Sequence, residues 1–303
     1  MVMERSAHPL SWWRVFLVGL ALWVASVVVT GLTGNFNLVP TVVLLGSFLV
    51  PVTAVLWYLD HYDSPTLTGR DVLNGFLIGG VLGVLGASIL ESWLLGAGPL
   101  LTLLVGVIEE GAKLLALLFV VWRLPHTSAR DGVVMGAAVG FGFAALESSG
   151  YALTALFSNP AHLSLAALVQ TELLRGVLAP FGHGLWTGIL GGVLFAGARG
   201  GRVRLTRWVL LTYLGVSLLH ALWDSMRGVA VLVTLLITGT PVQEVSTPAG
   251  TVLAFTPQQA SVFTEAELGG YAVVSVIGVL WLVLVWLRGR AMADPYGVRR
   301  ELA

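Results

Sequence analysis

Ionisable side chains sit inside four otherwise apolar stretches of this sequence, among them Glu109, Glu110 and Lys113 in one, Glu147 in a second, His183 in a third, and His220 with Asp224 in a fourth. Hydrolysing a peptide bond needs a localised water, a base to take its proton, a donor for the oxyanion and an acid for the leaving amine. This set can supply each part. Two imidazoles and a carboxylate with one position open to water match a catalytic zinc site, with a further Glu outside the ligand set as base. A metal-free scheme, in which a Glu activates the water and the His side chains stabilise the oxyanion, fits the same residues, and the residue types do not choose between the two.

Spacing constrains the roles. Positions three or four apart share a helix face, so His220 and Asp224 can point into one site, and Lys113 can meet both Glu109 and Glu110. Adjacent on a helix, Glu109 and Glu110 diverge by about 100° and cannot do identical work. Taken singly, most of these groups have plainer readings: Lys113 as a counterion, His183 as an interhelical hydrogen bond, Arg175 as an interfacial anchor or the partner of Glu172. The conjunction is what points to chemistry, because each Asp or Lys near a membrane helix centre costs about 2.5 to 3.5 kcal/mol and must face another polar group or water.

The elements that must position them are membrane helices. Of 303 residues, 56% are hydrophobic and 11% charged, and the mean hydropathy is +0.89, a balance that a water-soluble domain does not keep. Eight stretches of about 20 apolar residues are long enough to span a bilayer. They run roughly over Trp13 to Leu32, Leu38 to Leu59, Val72 to Leu90, Leu100 to Trp122, Gly132 to Thr154, Val177 to Ala198, Trp208 to Ile237 and Gly270 to Leu287. Sixteen basic and sixteen acidic residues cancel, which leaves no basic surface for nucleic acid. Cysteine is absent, which excludes disulfides, thiolate metal sites and a cysteine nucleophile.

Thirteen arginines, among them Arg14, Arg70, Arg130, Arg199, Arg204 and Arg288, fall in loops or at span ends on one side of the predicted spans. Cytoplasmic loops collect such residues, so both termini are expected inside. With a rise of about 1.5 Å per residue, Glu109, Glu147, His183 and Asp224 then all lie in the outer half of the membrane. Glycines at four-residue spacing, such as Gly132, Gly136 and Gly140 or Gly184, Gly188 and Gly192, make smooth ridges for close helix packing and put the fifth and sixth spans at the centre. Residues from Thr240 to Gly269 read as an external loop with one short element around Pro257 to Glu267.

Four blocks carry a resemblance: Glu109 to Lys113 as EExxK, Phe143 to Glu147 as FxxxE, Arg175 followed by His183, Thr187 and Gly188, and His220 to Asp224 as HxxxD. In this order they resemble the PrsW family of bacterial intramembrane proteases, within the superfamily that includes the CAAX prenyl endopeptidases, over roughly Leu100 to Arg227. CAAX-type relatives carry His where Glu147 stands, which turns the expectation away from prenyl-protein processing. The resemblance implies cleavage of a single-span anti-sigma factor on its external side, in a bacterial cytoplasmic membrane.

The sequence is therefore expected to form an all-α polytopic bundle of about eight helices, a single domain spanning residues 1–303, with a catalytic core at about 100–227, the external loop at 240–269 and a cytoplasmic tail at 288–303. The expected activity is intramembrane endopeptidase, with Glu109 or Glu110 as base, and Glu147, His183 and His220 as metal ligands or oxyanion donors. Asp224 orients His220 or joins the ligands, and Lys113 and Arg175 give support. A divalent metal, Zn2+, is the preferred cofactor. The competing readings are a proton- or ion-coupled transporter and a catalytically silent scaffold for a partner helix.

Overall fold

In hydrocarbon every backbone polar group must be satisfied within the protein, and apolar runs of this length do so as helices. The computed structural model describes residues 11–62, 64, 66–96, 101–122, 124, 128–158, 163–199, 202–247 and 250–292. Helix α1 (Trp12–Thr33) stops at Gly34, whose φ of 65° is a left-handed cap that only glycine adopts without strain. There follow α2 (Val39–His61), the short α3 (Gly69–Asn74) running through a π turn (Gly75–Gly79) into α4 (Gly80–Leu94), and α5 (Leu101–Val121). Next come α6 (Ala129–Leu156), α7 (Leu165–Leu178), α8 (His183–Ala196), α9 (Arg207–Asp224) and α10 (Met226–Thr238). A hairpin of β1 (Gln243–Thr247) and β2 (Gly250–Ala254) precedes α11 (Pro257–Met292).

Among the described residues six segments are long and apolar enough to cross a membrane, and the α9 and α10 pair, bent by 61°, makes a seventh if it is counted as one span. Helix α5, at 21 residues, is long enough but carries Glu109, Glu110 and Lys113. The chain is an all-α polytopic bundle.

Helix α6 is its axis. Every residue from Asp131 to Ala145 is buried, and its glycine face lies directly on α8: a methyl group at Gly132, Gly136 or Gly140 would fall on the carbonyl oxygen of Gly191, Thr187 or His183 respectively. On the other side Gly142 meets the Phe76 carbonyl in the π turn. These approaches, possible only without side chains, set where α8 begins and hence where His183 sits.

The ends of the helices that carry arginine converge. The Trp12 backbone amide donates to Asp60 at 3.0 Å, the Arg130 guanidinium stacks on Trp286, and Gly197 closing α8 faces Thr206 opening α9. At the same end Asp131 is fully buried and accepts from Tyr62 (3.0 Å), Ser64 (2.6 Å) and Thr66 (2.7 Å), which ties the loop after α2 to the start of α6. Burial, together with the Asp131 carboxylate, pushes the Tyr62 hydroxyl up to about 12, so it stays a donor. Arg5, Arg123, Arg299 and Arg300, together with His126 and His162, lie outside the described residues.

Three elements differ from the sequence expectation. Residues before Val177 were read as loop, yet α7 is a helix there, capped by Ser164, which accepts from the Ala167 amide; it inserts Leu168 and Glu172 into the bundle. The stretch Trp208 to Ile237 is not straight. It breaks at Ser225, whose hydroxyl donates to Thr102 at 2.7 Å, so that Asp224 and Arg227 flank the bend instead of lying within a continuous apolar rod. Residues 257–292 form one helix, not a short element followed by a span: the Gly269 and Gly270 pair does not end it, because the bare backbone at Gly270 packs on Met226.

Candidate active site

On α5 the three charged positions share the inward face, and Lys113 is fully buried between the two carboxylates. Its ammonium donates to Glu110 Oε1 at 2.6 Å and lies 3.4 Å from Glu109 Oε2. Glu110 is completely buried while Glu109 keeps 7% exposure, so the adjacent pair divides: Glu110 faces protein, Glu109 faces the centre.

Each histidine is held by one carboxylate and presents its other nitrogen inward. His183, the first residue of α8, has Nε2 at 2.9 Å from Glu147 Oε2 and Nδ1 at 2.7 Å from the Lys113 ammonium. With Nε2–H donating to Glu147, the Nδ1 lone pair is the acceptor for Lys113. His220 on α9 donates from Nδ1 to Glu110 Oε1 at 3.0 Å. Its Nε2 then lies 3.7 Å from Glu109 Oε2 and 3.4 Å from Asp224 Oδ2. One carboxylate per imidazole, fixing tautomer and ring orientation, is the arrangement found behind metal-binding histidines.

The ligand-capable atoms of Glu109, His183 and His220 all lie within 4.8 Å of one another. Glu147, expected among the ligands, instead sits on the outer nitrogen of His183 and accepts from Arg175 at 2.5 Å. Asp224 stays at the rim, its side chain 31% exposed. The sequence offers Arg175 as an interfacial anchor or the partner of Glu172. In the structure it goes to Glu147 and to Ser148, to which Nε donates at 2.8 Å, while Glu172 is buried and accepts from Trp23 Nε1 at 2.8 Å.

Charge and lone pairs bear on whether a cation fits. Four carboxylates (Glu109, Glu110, Glu147 and Asp224) face two fixed cations, Lys113 and Arg175. With neutral imidazoles the cluster therefore carries a formal deficit of two positive charges. His220 Nε2, an acceptor in this tautomer, faces two more acceptors, Glu109 Oε2 toward the centre and Asp224 Oδ2 at the rim. A proton on His220 or a divalent ion relieves that arrangement, and the two-His, one-carboxylate donor set suits zinc.

The walls include residues to which the sequence reading gave no role. The Trp186 ring lies 4.8 Å from His220 and Phe143 lies 5.0 Å from His183, centroid to centroid. Lys113 sits 4.2 Å over Phe143, and Arg175 sits over Tyr151. Trp186 is three residues after His183, and Tyr151 four after Glu147, so helical spacing from the polar positions was the signal for both.

Residues 64–248 match the family described as PrsW family intramembrane metalloprotease. That span runs from before α3 through β1 and contains every residue of the candidate site. The chain belongs to the PrsW family. A protein similar to it is Protease PrsW of Halalkalibacterium halodurans, 30% identical over 193 residues, which is 60% of this chain and 82% of the relative. No solved structure matches. Membership makes proteolysis within the membrane the class of activity, and the candidate site in this PrsW-family chain is a carboxylate and imidazole cluster drawn from α5, α6, α8 and α9 with a contribution from α7.

Proposed function

We propose that this PrsW-family chain hydrolyses a peptide bond of a single-span membrane protein, such as an anti-sigma factor, near the external face of a bacterial cytoplasmic membrane, with both of its own termini cytoplasmic. The observation that carries the reading is the inward-facing trio of Glu109, His183 and His220, each imidazole braced from behind by its own carboxylate. The donor set fits Zn2+, and Glu109, His183 and His220 are the residues that would hold it. Bound there, the metal would supply a Lewis acid and lower the pKa of a water.

The chain's own residues do the rest. Glu110 and Glu147 fix the tautomers that turn the lone pairs of His220 Nε2 and His183 Nδ1 toward the centre; the second is held by the Lys113 ammonium, which a metal there would displace. Asp224, at the exposed rim beside His220, is the carboxylate placed to take the water proton as the oxygen adds to the scissile carbonyl and to return it to the leaving amine as the C–N bond breaks. Glu109 takes that base role if no metal is bound. Lys113 balances Glu109 and Glu110 and offers positive potential to the oxyanion. Phe143 and Trp186 exclude bulk water from the imidazoles, which strengthens each of these interactions.

The test uses the full chain in lipid vesicles with a single-span reporter substrate. Glu109→Gln and His183→Ala are expected to abolish cleavage while the protein stays folded, and Asp224→Asn to reduce it by about 10²- to 10⁴-fold, the range for losing a general base. Metal analysis is expected to find about one divalent ion per wild-type chain, lost on chelation together with activity and restored by Zn2+. Full cleavage by the Glu109 and His183 variants would overturn the assignment. Activity that survives complete metal removal moves the base role to Glu109.

A further inference from the structure

Far from the site, at the arginine-bearing end of the bundle, α8, α9 and α11 enclose a cavity of about 910 Å³. Its lining is apolar along Val193, Leu211, Trp281, Leu284 and Val285, with Leu211 and Leu284 open to the lipid side, and includes Arg199, Arg204 and Arg288. Among the described residues no carboxylate lines it and none of the three guanidiniums makes an ion pair. The short connection between α8 and α9 is held by reciprocal backbone bonds between Arg199 and Arg202, of 3.0 and 3.2 Å, which fixes this side of the cavity.

These features select one chemistry. Three unneutralised guanidiniums without a competing acid favour a phosphate, which Arg binds bidentately. Apolar walls running from Arg288 back to Trp281, about 10 Å along the helix, favour a hydrocarbon chain attached to it. A basic pocket between spans at the membrane interface is where anionic lipid headgroups bind. Helix α11 is mostly exposed along its span, so a lipid can enter sideways from the bilayer.

We propose that this cavity is a binding site for an anionic phospholipid, its headgroup on Arg199, Arg204 and Arg288 and an acyl chain against Leu211, Trp281 and Leu284. Occupied, it cements α11, which lies beyond the family match, to α8, the helix that opens with His183. The inference stands on its own observations and does not depend on the reaction proposed above.

Full-length protein in phosphatidylcholine nanodiscs or micelles is titrated with phosphatidylglycerol, with phosphatidylcholine and with inorganic phosphate, and read by native mass spectrometry and thermal unfolding. Wild type is expected to retain phosphatidylglycerol selectively and to unfold at a higher temperature with it. Each guanidinium near an anionic headgroup contributes roughly a fivefold gain, so Arg199→Gln/Arg204→Gln/Arg288→Gln is expected to weaken retention by about two orders of magnitude. The triple Lys variant is expected to keep most of the selectivity, and Leu211→Trp, which fills the cavity, to lose retention with the arginines intact. Equal retention of both lipids by wild type, undiminished retention by the triple Gln variant, or the full thermal shift from inorganic phosphate alone would each overturn the proposal.

Discussion

Lys113 has three acceptors within reach of one ammonium: Glu110 Oε1, Glu109 Oε2 and His183 Nδ1. It is completely buried, so no water can replace any of them. Removing one partner of a buried ion pair leaves the other charge uncompensated, at a cost of about 3 to 5 kcal/mol. Lys113→Met is therefore expected to lose about that much stability in chemical denaturation as well as its cleavage activity. Glu109→Gln, nearly isosteric and at the edge of the buried network, is expected to lose activity with a much smaller change in unfolding. Equal stability of Lys113→Met and wild type would show that the ammonium does not hold the cluster. The sharing of Lys113 by both glutamates was readable from three- and four-residue spacing, as was the split between Glu109 and Glu110. Which nitrogen each histidine offers was not, because it depends on side-chain torsions that spacing does not fix. Depth along the helix axis likewise brought Glu147 to the level of the cluster without saying which way it turns. Depth gives height but not rotation about the axis, and rotation puts Glu147 behind His183, against Arg175.

At the scale of helices, the α6 and α8 contact transmits sequence into site geometry. Gly140 touches the carbonyl of His183 itself, so a methyl group there must displace the start of α8 and the imidazole with it. Gly150, on the same helix, faces open space, where alanine is favoured over glycine by roughly 0.5 to 1 kcal/mol. Gly140→Ala is expected to cut cleavage at least tenfold, the scale of a misplaced reacting group, while Gly150→Ala leaves cleavage unchanged and raises stability slightly. Wild-type cleavage by Gly140→Ala would mean that the close approach does not set the position of His183. The glycine ridges announced this pairing in the sequence. The unbroken run of α11 stayed hidden because a membrane helix is apolar toward lipid and toward protein, so the 3.6-residue contrast that marks ends and faces in soluble helices is flat there. Where a polar residue did break that monotony, as at Glu172, it was read as loop because its buried partner, Trp23, lies 149 positions away.

That long-range partner shows how the whole molecule bears on the site. Helices α1 and α2 precede the matched residues 64–248, yet both grip α7: Trp23 donates to Glu172, and Gly46 lies so close that a methyl group there would strike the Glu172 carboxylate. One helical turn further along α7, Arg175 reaches Glu147, the brace of His183. A chain of contacts thus runs from the first helix to the imidazole through a single short helix. Trp23→Phe keeps the ring and removes the donor, leaving a buried carboxyl without it, at about 1 to 3 kcal/mol. Replacing both partners with apolar groups is nearly neutral by the same reasoning, so Trp23→Phe/Glu172→Leu is expected to recover most of that stability. If α7 positions Arg175 for Glu147, cleavage should follow the same order: reduced in Trp23→Phe, largely restored in the double variant, and reduced in Arg175→Gln whatever stands at 23 and 172. Recovery of stability without recovery of cleavage would mean that Glu172 does more than anchor α7. Undiminished cleavage in Trp23→Phe would confine the first helix to the lipid-facing shell, uncoupled from the chemistry.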